Sequence, residues 1–373
     1  MVASRFLAVS ASPVRVFNLD AAERMRRFAL KAKLEPVEDV PAAGPLIVAN
    51  RAFAWDPAWL AHVRDTPGLA VTWGGQPALV HLPDAADAPA LIAAMKEAGP
   101  LPPIAGLSER RVEEGTTLYN QELRKRENAY LLPLRPETAR AVEKASYDGA
   151  YKGVTDLLTL YLWRRPAFHL TRWAALAGLS PNAVTIAGIL LCILATYLFA
   201  AGWYWAGLAA GLGFMVLDTV DGKLARCTGT SSDWGNILDH GVDLVHPPFW
   251  YWAWGYGLVF YGRPLAGPQL GLILAVIVGF YVVQRLIEGV FIQRFKGLHI
   301  HVWERIDSRF RLITARRNPN MVILFASLLV GRPDWGLIAV AWWTVLSCLF
   351  HLVRLFQAMA RAARGQEIRS WLA

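Results

Sequence analysis

Two patterns of hydrophobic and polar positions divide the chain. In the first 145 residues, short apolar runs of β type alternate with stretches in which apolar residues recur at helical spacing. The β-type runs cover residues 6–9, 14–17, 46–49, 69–73 and 78–82, and the helical stretches cover 21–33, 57–64 and 89–98. Such alternation predicts a soluble α/β domain. Within this domain, a Pro-rich turn or linker is expected at 99–104 and a charged, solvated stretch at 108–128.

From residue 184 onward, the apolar stretches become long enough to span a membrane. Six transmembrane helices are predicted, at residues 184–201, 203–222, 237–261, 268–291, 319–333 and 335–358. Amphipathic helices are predicted to lie along the membrane surface just before them. The expected order is a soluble α/β domain (1–145), juxtamembrane helices (146–183), an all-α six-helix membrane domain (184–360) and a cytoplasmic tail (361–373).

Basic residues are concentrated on one side of the predicted helices. The connections at 222–236 and 292–318 and the tail after residue 360 are rich in Arg and Lys, whereas the opposite turns carry at most one basic residue each. Positively charged connections remain in the cytoplasm during insertion. We therefore expect an inner-membrane protein whose N-terminal domain, active site and C-terminus are cytoplasmic.

Composition supports a membrane protein. Of the 373 residues, 55% are hydrophobic and 18% are charged, and the mean hydropathy is +0.31, which excludes general disorder. The net charge of +9 would suit nucleic acid or an anionic membrane surface. The hydropathy favours the membrane, so no nucleic-acid partner is expected. Three widely spaced Cys residues without a CxxC pair argue against a disulfide scaffold or a structural zinc site.

Candidate chemistry lies between the second and third predicted helices, where the sequence reads LDTVDGKLARCTGTSSDWGNILDHGVDLVHP. Asp218 and Asp221 share one helix face, and Asp239 and Asp243 share a face of the next helix. Carboxylates at membrane depth are costly and usually functional. Four such charges repel by several kcal/mol at an effective dielectric constant of about 20, so they require cations. Oxygen ligands suit Mg²⁺, Mn²⁺ or Ca²⁺, and two divalent ions would neutralise four carboxylates.

The spacing Asp-x2-Asp-Gly-x2-Ala-Arg-x8-Gly-x3-Asp-x3-Asp resembles the signature of the class I CDP-alcohol phosphatidyltransferase family. The filled signature positions are Asp218, Asp221, Gly222, Ala225, Arg226, Gly235, Asp239 and Asp243. The resemblance extends over about residues 145–360. It implies transfer of a substituted phosphate from a CDP-linked donor to an alcohol, release of CMP, and a homodimer.

The resemblance also implies residue roles. Metal ligation is expected from Asp218, Asp221, Asp239 and Asp243, with Asp243 also a candidate general base, and CDP binding is expected from Asp218, Gly222, Ala225, Arg226 and Gly235. The expected cofactors are two divalent cations, Mg²⁺ or Mn²⁺. Metals bridging the pyrophosphate would stabilise charge on the leaving group. Glycine lets a nucleotide approach the backbone, and an arginine can pair with a phosphate oxygen.

A second basic cluster precedes the fifth predicted span, in the sequence RFRLITARRNPN. It contains Arg309, Arg311, Arg316 and Arg317. The cluster is explained either by topology and contact with anionic lipid or by a pocket for a phosphorylated acceptor. The stretch resembles the corresponding loop of family members that use inositol phosphate. Arg285 and Glu288, three residues apart in the fourth predicted span, are expected to form an internal pair.

The layout of the N-terminal domain resembles bifunctional proteins in which an inositol-phosphate cytidylyltransferase precedes a di-myo-inositol phosphate phosphate synthase. Active nucleotidyltransferases place a Gly-rich phosphate loop after the first strand. Here residues 8–13 contain no Gly, and Asn50 stands where a metal-binding carboxylate is expected. We therefore predict a degenerate nucleotidyltransferase-like domain, with an active nucleotidyltransferase and an unrelated α/β fold as the alternatives.

These inferences predict a membrane phosphotransferase of phospholipid biosynthesis. The expected donor is CDP-diacylglycerol, and the expected acceptor is a polar alcohol or its phosphate. One alternative is transfer from CDP-inositol, or another CDP-linked polar alcohol, to an inositol phosphate or a lipid hydroxyl. Others are an ion-coupled transporter, in which the aspartates bind the coupling ions, and an inactive membrane anchor. Metal-dependent release of CMP distinguishes the enzymes from the transporter.

Overall fold

The computed structural model describes residues 4–120, 123–231 and 233–373, without the side chains of Glu114, Asp233, Asn236, Asp239 and His240. The chain forms two compact units, and each is discontinuous in sequence. The α/β unit comprises residues 1–151, 171–180 and 223–231. The helical unit comprises residues 152–170, 181–222 and 232–373.

A mixed six-stranded sheet organises the α/β unit, with strand order β2-β1-β3-β6-β5-β7. The strands are β1 (Arg5–Val9), β2 (Glu35–Val37), β3 (Leu46–Asn50), β4 (Phe53–Trp55), β5 (Leu69–Trp73), β6 (Gln76–Leu82), β7 (Ser108–Arg111), β8 (Thr117–Asn120), β9 (Lys125–Asn128) and β10 (Leu131–Pro133). Strand β1 pairs in parallel with β2 and β3, whereas β6 runs antiparallel to both of its neighbours. Two further pairs, β4 with β10 and β8 with β9, form separate ribbons.

Helices cover both faces of this sheet. They are α1 (Ala21–Lys31), α2 (Pro57–Arg64) and α3 (Ala88–Lys96), and a fourth helix of the unit, α4 (Ala139–Gly149), follows β10. Successive residues of a strand point to opposite faces, so in β3 Ile47 packs in the core with Trp55 and Trp59, and Val48 packs in the core with Met95. The central strand is therefore buried on both faces, which explains its uniformly apolar sequence.

The sequence patterns predicted most of this sheet. The strands expected at 6–9, 46–49, 69–73 and 78–82 are present. The strand predicted at 14–17 is wrong, because Phe17 and Asn18 adopt positive φ values of 50° and 63° in a tight turn that leaves an isolated bridge. The stretch 108–128, predicted only as solvated, contains strand β7, whose residues are all exposed and therefore lack an apolar alternation.

The helical unit contains a helix at each predicted span. The helices are α5 (Arg164–Leu176), α6 (Pro181–Ala200), α7 (Tyr204–Thr228), α8 (Asp233–Gly257), α9 (Gly267–Arg294), α10 (Arg305–Arg311), α11 (Arg317–Leu329) and α12 (Pro333–Ala363), with parts of α5 and α7 belonging to the α/β unit. Among the described residues, α6, α9 and α12 are long and apolar enough to cross a membrane. The predicted count of six spans is therefore confirmed only for three.

Length and hydropathy explain why α7, α8 and α11 are not among these candidate spans. Helix α11 has 13 residues, fewer than the roughly 20 that a span requires. Helices α7 and α8 contain the signature aspartates, which lower their hydropathy. Inside the unit, aromatic side chains form the core, and Trp250 packs edge-on against Phe199 and Phe214.

Candidate active site

An arginine bridges two of the signature aspartates. Arg317, the first residue of α11, donates from Nη2 to Asp218 Oδ2 on α7 and from Nη1 to Asp243 Oδ1 on α8, and both distances are 2.7 Å. Its Nε donates to Asn318 Oδ1 at 2.9 Å, and the guanidinium lies 4.8 Å from the centre of the Phe214 ring. Three helices thus meet at one guanidinium, and the two carboxylates are arranged around a single positive charge.

Asp221 lies one helical turn after Asp218 and is 4% exposed. Its Oδ2 accepts a hydrogen bond from Thr185 Oγ1, on α6, at 2.5 Å. A buried carboxylate requires such partners because desolvation disfavours its charge. The Thr185 hydroxyl therefore fixes the direction in which this carboxylate points, a contact that the sequence patterns did not predict.

The remaining signature positions are distributed between the two units. Gly222 lies in the helical unit on α7, and Gly235 lies there on α8. Ala225 and Arg226, also on α7, belong to the α/β unit. The predicted metal ligand Asp239 lies on α8, but its side chain is outside the described residues.

The residues at Arg317 fit a divalent cation. Asp218 and Asp243 supply carboxylate oxygens from two helices, which are the ligands that Mg²⁺ and Mn²⁺ prefer. The guanidinium occupies the place of a cation between them. It carries one positive charge and contacts two carboxylates, those of Asp218 and Asp243. Among the described side chains, no group of three or more His, Cys, Asp or Glu residues has metal-site geometry.

A second charged group is centred on Glu288, in α9. Arg316 Nη2 donates to both carboxylate oxygens at 2.7 Å, and Arg285 Nη1 lies 3.0 Å from Oε2. His301 Nε2 is 3.2 Å from Oε1, and its side chain is buried. The expected pair of Arg285 and Glu288 therefore exists, but it belongs to a larger cluster that includes Arg316.

This cluster contains more guanidinium donors than acceptors. Arg285 Nε and Nη2, Arg316 Nε and Arg311 Nη1 are buried and have no hydrogen-bond partner within the described part of the chain. Burial, followed by the nearby charge of Arg316, lowers the pKa of the Arg311 guanidinium. A buried donor without an acceptor costs free energy. Three arginines with unmatched N–H groups therefore form a site suited to an anion with several oxygen atoms, such as a phosphate.

The four arginines predicted to bind an acceptor phosphate are thus in three places. Arg311 and Arg316 lie in the cluster around Glu288, together with Arg285, which the sequence reasoning did not include. Arg317 lies at the signature aspartates, and Arg309 is exposed on α10. An arginine within an otherwise apolar span was the available signal for Arg285, because a charge at membrane depth usually has a function.

In the α/β unit, the polar residues after β1 and β3 bond to the chain itself. Ligands of open α/β sheets often bind beyond the carboxyl ends of such strands. Here Asn50 Nδ2 donates to Pro77 O at 3.2 Å, Ser10 Oγ donates to Met95 O at 3.1 Å, and Arg51 Nη2 donates to Ala8 O at 2.8 Å. These contacts hold the strand ends together without using an external ligand.

A cavity of about 480 Å³ lies elsewhere in the same unit. Its walls include Phe28, Asp56, Arg64 and Arg226. Asp56 accepts from Ala58 N at 2.9 Å as the N-cap of α2, and its burial raises the pKa of the carboxyl. Arg226 of the signature is therefore a wall residue of a cavity built by the α/β unit.

Comparisons with known proteins find similarity over the segment that contains these residues. Residues 178–313 match the family model for CDP-alcohol phosphatidyltransferase, a segment that contains all eight signature positions. Cholinephosphotransferase 1 of Gallus gallus is 32% identical over 128 residues, which are 31% of this chain and 37% of that protein. Archaetidylinositol phosphate synthase of Pyrococcus horikoshii is 26% identical over 204 residues, covering 54% of this chain and 95% of that protein.

The coverage of these relatives differs. The chain spans only 37% and 30% of the length of the cholinephosphotransferases of Gallus gallus and Xenopus laevis. Among solved structures, the apo phosphatidylinositol phosphate synthase of Mycobacterium tuberculosis is 19% identical, with a TM-score of 0.38, over 50% of this chain and 95% of that one.

Proposed function

We propose that this chain, whose residues 178–313 match the family model for CDP-alcohol phosphatidyltransferase, is a membrane phosphotransferase of phospholipid biosynthesis. It transfers a substituted phosphate from a CDP-linked donor to a polar alcohol or its phosphate and releases CMP. The observation that carries the proposal is the placement of Asp218 and Asp243, on two helices, around one positive charge. A cation held there would lie where the charge of a departing CMP develops.

The signature residues have distinct roles in this proposal. Asp218, Asp221, Asp239 and Asp243 would hold two divalent cations, Mg²⁺ or Mn²⁺, as the family's use of divalent metals suggests. When bound, such ions polarise phosphoryl oxygens and stabilise the leaving group. Thr185 orients Asp221. Asp243, the most exposed of the three described carboxylates, is proposed to take the proton from the attacking hydroxyl.

Donor and acceptor would bind through different residues. We assign the CDP moiety to Asp218, Gly222, Ala225, Arg226 and Gly235, on the strength of the signature. We assign the phosphate of the acceptor to Arg285, Arg311 and Arg316, since their unmatched donors favour an anion. The name of the Pyrococcus horikoshii relative, of which this chain covers 95%, also contains an inositol phosphate. Arg309 and Arg317 become secondary candidates for this contact.

CDP-diacylglycerol is the proposed donor, and one observation favours a second candidate. Several relatives are cholinephosphotransferases by name, so in them the polar group moves with the phosphate. In that arrangement, a CDP-linked polar alcohol such as CDP-inositol is the donor, and an inositol phosphate or lipid hydroxyl is the acceptor. Both versions release CMP, so the reaction class does not depend on the choice.

The membrane arrangement belongs to the same proposal. Helices α6, α9 and α12 are candidate spans, and we propose that α7, α8 and α11 complete a bundle of six. From the basic connections we propose that the α/β unit, the aspartates and the C-terminus are cytoplasmic. A homodimer is proposed from the family resemblance. We propose that the α/β unit is a degenerate nucleotidyltransferase-like domain, a view supported by Asn50 and Ser10 bonding to their own chain.

Release of CMP by the purified full-length protein in detergent tests the proposal. Mg²⁺ or Mn²⁺ and CDP-diacylglycerol would be supplied with glycerol phosphate, inositol, inositol phosphate, serine or choline. We expect release with one phosphorylated acceptor and none after chelation. If CMP were released from CDP-inositol but not from CDP-diacylglycerol, the second candidate, transfer from a CDP-linked polar alcohol, would be selected. Silence with every CDP-linked donor would contradict the reaction class and favour a transporter or an inactive anchor.

Two variants separate the assigned roles. Asp243→Asn should lower turnover by about 100-fold or more, because a general base contributes about that much, while metal binding is partly retained. Arg285→Ala should raise the Michaelis constant of a phosphorylated acceptor about tenfold, because a charge-assisted hydrogen bond is lost. Arg294→Ala is the matched control, since Arg294 lies on the same helix as Arg285 and is exposed. An unchanged constant for Arg285→Ala would remove this arginine from the acceptor site.

A further inference from the structure

The C-terminal end of α7, carrying two signature positions, is packed into the α/β unit. Residues 223–231 belong to that unit, although the preceding part of the helix does not. The carbonyl oxygen of Ala150, just after α4, accepts from Lys223 Nζ at 2.9 Å and from Arg226 Nε at 3.0 Å. Lys223 Nζ also lies 3.3 Å from the centre of the Tyr151 ring. The same carbonyl therefore fixes a buried lysine and the signature arginine.

Helix α1 contacts the next residues of this segment. Arg27 Nη1 donates to Thr228 O at 3.2 Å, and Lys31 Nζ donates to Ser231 Oγ at 3.1 Å. Gly229 has a φ of +66°, and a Cβ added there would come within 3.0 Å of Arg27 Cβ. A side chain at residue 229 would thus be strained by its backbone and crowded by α1. The close approach of residue 229 to α1 therefore requires glycine.

Buried contacts continue behind the segment. Cys227 is 1% exposed and lies near Ser146 of α4. Ser146 Oγ in turn lies 3.4 Å from Arg24 Nη2, on α1. Leu224 is also 1% exposed. Residues 223–231 are therefore held by α1 and α4 through both polar and apolar contacts, as an internal part of the α/β unit.

We propose that the α/β unit is a positioning module that sets the location of Arg226 for the donor nucleotide, with Arg27 and Lys31 as positioning residues. This inference rests on the proposed function, because it takes Arg226 to contact the CDP moiety. It gives the N-terminal domain a role that needs no catalytic activity of its own. A domain whose strand-end polar groups bond to themselves can still provide rigid support for a residue of another site.

The double variant Arg27→Ala with Lys31→Ala in the full-length protein tests this role. We expect the Michaelis constant for the CDP-linked donor to rise about tenfold, because two hydrogen bonds from charged donors are lost. Turnover at saturation and the acceptor constant should change less than about twofold. Hydrogen exchange of the peptide covering residues 223–231 should also accelerate about tenfold, which reports on the segment without any assay of activity.

Arg26→Ala provides the matched control. Arg26 and Arg27 both pair with Glu23, at 2.7 Å each, but only Arg27 reaches Thr228. The control should therefore alter neither the donor constant nor the exchange of residues 223–231. Arg27→Lys in the Lys31→Ala background should restore part of the donor affinity, because it keeps a cation near Thr228 O.

The outcomes separate the two proposals. If the double variant changed neither the Michaelis constant for the CDP-linked donor nor the hydrogen exchange of residues 223–231, the positioning role would be overturned. A lower unfolding temperature with parallel losses in donor constant, acceptor constant and turnover would also overturn it, because that pattern indicates general destabilisation. If the wild-type protein released no CMP from any donor, the proposed function would fail. Faster exchange of residues 223–231 in the double variant would then still establish the contact of the segment with α1.

Discussion

At the scale of single residues, Arg317 is the most informative side chain in the candidate site. Its two Nη atoms bond to carboxylates that are 25 residues apart in sequence, Asp218 and Asp243. Both bonds are charge-assisted, and the side chain of Arg317 is only 12% exposed. A guanidinium and a divalent ion would use the same carboxylate oxygens. We therefore expect Arg317 and the metal to compete.

Replacing Arg317 should strengthen metal binding. In Arg317→Ala, the affinity for Mn²⁺ should rise at least about tenfold, because a positive charge within a few ångströms of the ion is removed. Titration of the purified protein with Mn²⁺, followed by calorimetry or by the electron paramagnetic resonance of the free ion, measures this change. The Mn²⁺ affinity of Arg317→Lys should lie between those of the wild type and Arg317→Ala. An affinity that fell or stayed the same would show that the guanidinium and the metal do not share these oxygens.

The sequence predicted the aspartates but not their partner. Residue spacing along one helix places Asp218 and Asp221 on one face, because helical geometry is local. The contact between Asp218 and Arg317 joins residues 99 positions apart, and no local periodicity encodes it. The cluster around Glu288 is similar, since only its i,i+3 pair with Arg285 could be predicted. Arg316 joins that cluster from 28 positions away.

At the scale of elements, close approach of backbones fixes how α8 packs. A Cβ added at Gly257, the last residue of α8, would come within 1.9 Å of the carbonyl oxygen of Phe199 on α6. Inside α7, a Cβ at Gly211 would come within 2.9 Å of the Trp250 ring. These glycines permit the helices to approach closely, as small residues do in membrane bundles.

Gly257→Ala should destabilise the helical unit by about 3 kcal/mol, because the backbone atom in its path cannot move as a side chain can. The matched control is Gly271→Ala in α9, where an added Cβ meets nothing within 4 Å. Alanine there should be neutral or slightly stabilising, since it favours the helix over glycine. Thermal unfolding in detergent compares the two variants. Equal unfolding temperatures would contradict the close packing at Gly257.

Elements with strong apolar periodicity were predicted well, and the others were not. Each of the six apolar stretches corresponds to a helix, and β3 was predicted by its continuous apolar run. Strand β7 was missed because its four residues are exposed, so its pairing with β5 leaves no apolar pattern in the sequence. The turn at Phe17 and Asn18 was missed because its apolar residues are buried without forming a strand.

At the scale of the whole molecule, distant segments close the helical unit. Leu157 N donates to Leu312 O at 2.9 Å, and Asp156, which is 6% exposed, lies beside them. Burial raises the pKa of Asp156, but the charge of Arg311 and the hydrogen bonds from Thr159 outweigh it, so that the net pKa is lowered. The carboxylate therefore stabilises the contact between these segments.

The stability of this contact should depend on pH with a defined sign. Because the pKa of Asp156 is lower in the folded protein than the ordinary 3.8, its contribution is complete above about pH 4 and is lost as the pH falls through the folded value. Between pH 6 and pH 3, the unfolding temperature of the wild type should therefore fall further than that of Asp156→Asn. Parallel curves for the two proteins would contradict the lowered pKa.

The division into two discontinuous units could not be predicted from the sequence. The change in hydrophobic pattern suggested a single boundary near residue 145. Residues 171–180 and 223–231 nevertheless belong to the α/β unit. For example, Arg172 Nε donates to Glu143 Oε2 at 2.7 Å. Such contacts join segments that are far apart in sequence, and local apolar periodicity carries no information about them.

Because the two units are interleaved in sequence, the α/β unit cannot be completed until a later stage of synthesis. The α/β unit receives its last segment only when residue 231 has been synthesised, after α6 and most of α7 have been synthesised. At about 5–20 residues per second, the interval from residue 151 to residue 231 lasts several seconds. The sheet can form early, but the surfaces of α1 and α4 that contact residues 223–231 remain uncovered until α7, which follows the candidate span α6, has been made. Completion of the N-terminal unit is therefore coupled in time to membrane insertion.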